Sequence, residues 1–403
     1  MGSTGPVAIV GGRVVPIEGD PIERGVVVIE DGRISAVGGP DLTVPEGATT
    51  VSAEGAWVLP GFLDAHAHVG VAEEAEGWAG QDTNEMTDPN TAHVRAIDAI
   101  NPADLGFRDA ISGGVLAVNV NPGSGNPIGG QTVALKCWGR TVDEMVLRHP
   151  SGLKSALGEN PKRVYGDRKQ MPSTRLGTAA VIREAFTQAR NYMTRWENQE
   201  PGKQPDRDLK MEALAMVLRR EIPWRQHSHR ADDIATAMRI AEEFGYELVI
   251  DHGTEAHLIA DLIAAAGIPV IIGPLFTTRS KVELRNRSLA NPGRLAAAGI
   301  TIAITTDHPV VPIHFLIHQA TLAVKEGLDP QTALRAVTIN PARIAGVADR
   351  LGSIEPGKDA DLCIWSGDPL DVMSRVERAY IAGAEIYRYD PQRREGVFTE
   401  PGT

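Results

Sequence analysis

The sequence predicts an α/β protein: a (β/α)8 barrel of the TIM type with a small β-sandwich built from both chain termini. Three observations predict it. The middle of the chain, about 56–350, alternates apolar strand-like runs with helix-like runs, and repeated strand–helix alternation implies a parallel sheet. The two ends carry short β-type runs with Gly-rich turns, too few at either end for a stable core alone. Residue types that ligate metals close several apolar runs of the middle, and barrel enzymes place their chemistry at the C-terminal ends of their strands.

Residues 1–55 form the first part of the composite β-domain. Val7–Val10, Gly25–Ile29 and Arg33–Val37 read as strands, and Asp31-Gly32 between two of them is a hairpin signal. Residues 351–403 return to this style, with strands around Leu362–Trp365 and Arg378–Tyr387. The barrel strands are expected at Trp57–Ala65, Val115–Val120, Thr132–Trp138, Gly152–Gly158, Ile222–His227, Leu248–His252, Val270–Ile272 and Ile300–Thr305. The order of the third and fourth among these is open. Ala-rich amphipathic segments such as Ile234–Phe244, Leu258–Ala266 and Leu289–Ala298 supply crossover helices. Region 174–220 is an elaborated helical connection, broken by the polar stretch Gln199–Asp208.

Five of the eleven histidines fall at expected strand ends: His66, His68, His227, His229 and His252. His66 and His68, at i and i+2, share one face of an extended strand, so two imidazoles converge on a half-site for a divalent metal. Asp64 is placed to orient a ring nitrogen. His227 and His229 repeat the spacing. His227 follows its strand directly and is preferred as ligand, with a swap of roles open; His229 and Arg230 are assigned to substrate. Asn119 and the Gly-rich loop behind it are a further substrate-facing candidate. The acidic stretches Glu73–Glu76 and Asp82–Asp88 are either a lid meeting a cationic substrate or a solvated loop. His308 alternates away from Asp307 and the barrel axis.

The chain resembles the amidohydrolase superfamily, in particular imidazolonepropionase and related metal-dependent hydrolases. The resemblance rests on Pro60–His68, His227, His252, Thr306-Asp307, Thr338–Ala342 and Gly352–Leu362. It implies metal ligands His66, His68, His227 and His252, with a catalytic Asp307 that also reaches metal. One ligand varies within that superfamily: many members use a carboxylated lysine, others a glutamate. Glu159 ends an apolar run before a Pro break, whereas Lys154 lies five residues earlier and Lys136 lies mid-strand. Strand position therefore favours Glu159 as metal ligand, with a helix cap or ion pair as its plain alternative.

The expected cofactor is a divalent metal, one or two ions, zinc first. Metal acidifies a water, Asp307 takes its proton, and His252 or His229 helps hold the oxyanion during cleavage of a small-molecule amide or cyclic amide. A heterocycle deaminase, a dipeptidase or N-deacetylase, and a non-catalytic scaffold are the alternatives. A net charge of −12 speaks against nucleic acid or anionic membrane as partner. The expected partner is a small-molecule substrate, with a homo-oligomer open. Cys137 and Cys363 make no disulfide framework, so a cytoplasmic setting is expected.

Overall fold

The computed structural model describes residues 5–198, 200 and 204–400; residues 199 and 201–203, inside the polar break at 199–208, and residues 401–403 lie outside it. Seventeen strands fall into two sheets. The first strands are β1 (Val7–Val14), β2 (Ile22–Glu30), β3 (Arg33–Gly38), β4 (Thr49–Ser52) and β5 (Trp57–Pro60). The central ones are β6 (Phe62–Ala67), β7 (Val115–Val120), β8 (Ile128–Lys136), β9 (Val146–Ala156), β10 (Trp224–Ser228), β11 (Leu248–His252), β12 (Val270–Ile272) and β13 (Ile302–Ile304). The last are β14 (Leu362–Trp365), β15 (Val376–Ile381), β16 (Ala384–Asp390) and β17 (Glu395–Phe398).

The two chain ends share one nine-stranded sheet, ordered β17-β16-β15-β14-β5-β1-β2-β3 with β4 on β1. The seam is β14 against β5, antiparallel, with Leu362 opposite Pro60 and Trp365 opposite Trp57. The ladder establishes a single continuous sheet, a coarser statement than the sandwich expected from sequence. At the predicted hairpin Asp31 and Gly32 both take positive φ, 50° and 76°, which suits a two-residue turn whose twist matches the strands. The run expected as one strand over Trp57–Ala65 is two strands in two sheets. Gly61 is the crossing point, and a Cβ there would sit 2.6 Å from the Leu116 side chain.

Strands β6 to β13 form the eight-stranded sheet in chain order. β6 pairs parallel with β7, and β9 to β13 are mutually parallel. β8 runs antiparallel to both β7 and β9, which corrects the expectation of a uniformly parallel barrel. Only residues 121–127 link β7 to β8, and a parallel return needs a crossover of about a dozen residues or more. Both Thr132–Trp138 and Gly152–Gly158 thus mark real strands, one of them reversed.

The sheet nearly closes, and a non-strand segment bridges its gap. Ile304 N–H donates to Ala336 O and Leu63 N–H to Val337 O, each at 2.9 Å. Asn340 Nδ2 donates to Ile302 O at 2.9 Å. Asp64 adds a side-chain tie: its carboxylate accepts from Thr305 Oγ1 at 2.5 Å and from Thr306 N–H at 3.0 Å. Asp64 also accepts from the backbone N–H of His66 at 3.1 Å, so it fixes the β6–β13 junction rather than a ring nitrogen. The crossover helices fall near their expected places, at Ala231–Phe244, Ala260–Ala265 and Asn291–Ala297. The elaborated connection is helical over Arg175–Glu197 and Leu209–Leu218. Among the described residues no helix is long and apolar enough to cross a membrane.

Candidate active site

The C-terminal ends of β6, β9, β10 and β11 and the turn after β13 converge on one buried cluster. His66, in β6, holds its centre. Its Nε2 lies 3.2 Å from Lys154 Nζ and 3.4 Å from Asp307 Oδ1, and its Nδ1 lies 3.0 Å from Asp251 Oδ2. His68, just past the strand, points the same way, with Nε2 3.3 Å from the same Asp307 oxygen. The ring of His252 is 4.8 Å from His66 and 4.5 Å from His227 between centroids.

Outer hydrogen bonds decide which nitrogen each ring turns inward. His68 Nδ1 bonds to Asn121 O and His252 Nδ1 to Gly273 O, each at 2.8 Å. A carbonyl can only accept, so each Nδ1 carries the proton and each Nε2 offers a lone pair. The Nδ1 of His227 is buried without a hydrogen-bond partner. Asp251 is in turn anchored by Arg225, fully buried, at 2.9 Å. Burial works against the Asp251 anion, but Arg225 and then His66 hold its carboxyl below the usual range. The chain Arg225–Asp251–His66 orients the central imidazole, and sequence reading missed both outer members. The signal for Asp251 was its place beside His252 in a strand end; nothing marked Arg225, an arginine inside a strand.

Burial disfavours the charged form of His227, His229 and His252. Burial, then neighbouring His252 and His229, push His227 well below its ordinary value. His229 falls likewise through burial and His252. Burial lowers His252 to about 4. Burial opposes ionisation of Asp307, yet His252, His66 and His68 around it keep its carboxyl well below the usual range. His252 and Asp307 are also two of the few non-glycine residues with positive φ, at 75° and 54°, a conformation that costs about 1–3 kcal/mol and clusters at active sites.

The two candidates for the variable ligand stand in different places. β9 ends at Ala156, so Lys154 stands near its C-terminal end, not deep in the barrel. It is fully buried, and burial lowers its amine to about 8. Glu159 lies beyond the strand and opens the helix Glu159–Asp167, where its backbone N–H donates to Glu283 Oε1 at 2.8 Å. The strand taken to run through Gly158 stops two residues short, which moves the rim to Lys154 and carries Glu159 past it. Among the described residues, two groups have ligand atoms mutually within 4.8 Å: His66, His252 and Asp307, and His227, His229 and Glu283. Glu159 is in neither.

The substrate candidates divide. His229 joins the cluster, 5.0 Å from His252 between centroids, with Nδ1 on Thr254 Oγ1 at 2.8 Å. Arg230 instead pairs with Asp232 at 2.7 Å. Asn119 is buried, and its Oδ1 accepts from Ser151 Oγ at 2.6 Å, so an interior network occupies it. The Gly-rich loop packs on the 83–92 segment: Gly125 N–H donates to Asn84 Oδ1 at 2.8 Å and Asn126 Nδ2 to Thr91 Oγ1 at 2.7 Å. In the acidic loop, Glu74 Oε1 reaches 3.7 Å from the buried His308 Nε2.

Comparison with known proteins agrees with this geometry. The amidohydrolase family model matches residues 216–388. The crystal structure of an amidohydrolase from Thermotoga maritima MSB8 is 48% identical, covers 95% of this chain and 100% of that one, and superposes with a TM-score of 0.92. Amidohydrolase tasK of Hapsidospora irregularis is 31% identical over 388 residues, 90% of this chain, which spans 39% of that relative's length. Imidazolonepropionase of Maricaulis maris is 26% identical over 391 residues, 90% of this chain and 92% of the relative. With histidines from three strands, a strand-end lysine and an aspartate after the last strand at one barrel mouth, the chain belongs to the imidazolonepropionase-related branch of the amidohydrolase superfamily, enzymes that hydrolyse carbon–nitrogen bonds.

Proposed function

We propose that this chain hydrolyses a small non-protein amide or cyclic amide, using one or two divalent ions, zinc first. One observation carries the reading: ring nitrogens of His66, His68 and His252 gather at the Asp307 carboxylate, whose own proton is held off. This donor set fits a divalent cation. His66, His68, His227, His252 and Asp307 would hold it, and Lys154 would join once its amine is carboxylated. An amine at about 8 supports that step, because only the neutral form attacks carbon dioxide. A bound divalent cation would acidify a water and polarise the substrate carbonyl.

The residues supply the rest. Asp307 takes a proton at Oδ1, which faces His66 Nε2 and His68 Nε2 at 3.4 and 3.3 Å, and returns it to the departing nitrogen. His229, anchored on Thr254, faces the substrate side of His252. Burial of the cluster excludes bulk water. The test is Asp307→Asn, assayed on a panel of cyclic amides, acylated amines and dipeptides. Metal content should stay near that of the parent while kcat falls by about 10²–10⁴. An active variant would place the base elsewhere, and a parent without stoichiometric metal would favour a non-catalytic scaffold.

A further inference from the structure

Glu283 lies in the turn Val282–Leu284 after β12 and is 2% exposed. One carboxylate oxygen is fully engaged: Oε1 accepts from Glu159 N–H and from Arg175 Nη2, each at 2.8 Å. The other, Oε2, is buried with no partner. A Glu283 oxygen lies within 4.8 Å of ring nitrogens of both His227 and His229. The backbone makes room for this carboxylate. Gly158 has φ of 89°, and a Cβ there would come within 2.6 Å of Oε1 and 3.2 Å of Oε2.

The charges around it leave an anion short of cations. Arg175 is shared with Asp233 at 3.0 Å. Glu159 adds like charge, and burial with Glu159 pushes the Glu283 carboxyl up to about 7. Lys281 is engaged elsewhere, donating to Asn160 Oδ1 at 2.9 Å. An ion pair that served only to pin the loop would gain from using both oxygens. A buried acceptor left empty costs about 1–3 kcal/mol, more when charged.

We infer that Glu283 is a specificity-determining residue whose Oε2 binds a cationic nitrogen, an ammonium or amidinium, carried by the substrate beside the scissile bond. The inference rests on the hydrolase reading only for what the bound molecule is. Arg175 already brings positive charge to Oε1, so one further charge suits the position better than a metal dication. A substrate ammonium brings one charge and N–H donors, which suits one free carboxylate oxygen.

The test uses metal-loaded protein at pH 8 and two probes of the same shape, β-alaninamide and butanamide, which differ by an ammonium in place of a methyl. Calorimetry should show β-alaninamide binding about tenfold or more tighter than butanamide. Glu283→Gln should erase that preference and leave butanamide affinity, metal content and melting temperature unchanged. Equal binding of the two probes by the parent would overturn the inference without any variant. So would a preference that survives Glu283→Gln, or a loss of metal in that variant, which would make Glu283 a ligand. Failure to hydrolyse any amide would refute the hydrolase reading instead, because probe binding is measured independently of turnover.

Discussion

Lys136 and Lys154 are buried lysines on neighbouring strands, and Lys154 was open beside Glu159 as the variable ligand from sequence. The structure gives them opposite surroundings. Lys136 Nζ sits between Asp359 Oδ2 at 2.8 Å and Asp361 Oδ1 at 2.9 Å, in the turn that enters β14. Among the described residues Lys154 Nζ has no carboxylate within ion-pair distance, and it faces His66 Nε2 at 3.2 Å. Each lies near the C-terminal end of its strand, but β8 and β9 run antiparallel. The end of β9 reaches the histidine cluster; the end of β8 reaches the opposite end, where the nine-stranded sheet packs. The difference shows that "C-terminal end of a strand" locates chemistry only after strand direction is known. A lysine clamped by two carboxylates fastens structure. A lysine whose amine burial lowers to about 8, with Asp251 and Asp307 near it but outside ion-pair distance, is available for chemistry.

The comparison breaks most readily at Lys154. Lys154→Ala should lose at least about a hundredfold in turnover, the scale of one lost electrostatic group, together with metal, and acetate or propionate should restore part of both. Glu159→Gln should leave metal and turnover near parental values, as expected for a surface-side helix start. Bicarbonate-independent activity, with metal lost in Glu159→Gln and kept in Lys154→Ala, would reverse the assignment.

Lys136→Met sharpens the other half. It leaves Asp361 buried without its cation, while Asp359 keeps Arg350 at 2.6 Å, and breaking a buried pair costs about 3–5 kcal/mol. Urea unfolding should show that loss while metal content and kcat of the folded variant stay put. A Lys136→Met protein as stable as the parent would mean the clamp is not what joins barrel and nine-stranded sheet.

The smallest effect is acid sensitivity of the metal-free protein. His252 titrates at about 4 when folded and near 6.5 when unfolded. The folded state binds fewer protons in between, so stability falls as pH drops from about 6.5 to 4 and is unaffected above. His227 and His229 shift in the same direction. Melting temperature of the apoprotein should decline across that window, and added zinc should oppose the decline at its upper end by mass action. A flat profile would mean the rings are already charged in the fold.

What the sequence by itself determined is local. Alternating runs and Gly-rich turns mark the strands, and two i, i+2 histidine pairs at strand ends mark the mouth, because side-chain direction in a strand follows from a period of two. His66, His68, His227 and His229 were legible on that rule, His252 as a strand end and Asp307 through the family resemblance, and they gather in one cluster. The rest depends on partners far apart in the chain. The direction of β8, the bridging of β13 to β6 by residues 336–340, the support of His66 by Asp251 and Arg225, and the approach of Glu283 to His227 all arise from contacts between distant parts of the chain around the nearly closed sheet. The choice between Lys154 and Glu159 turned on where β9 stops, two residues before Gly158. No local propensity sets that point; it is set by the neighbouring strand β10, whose His227 pairs with Ala156 at the last rung.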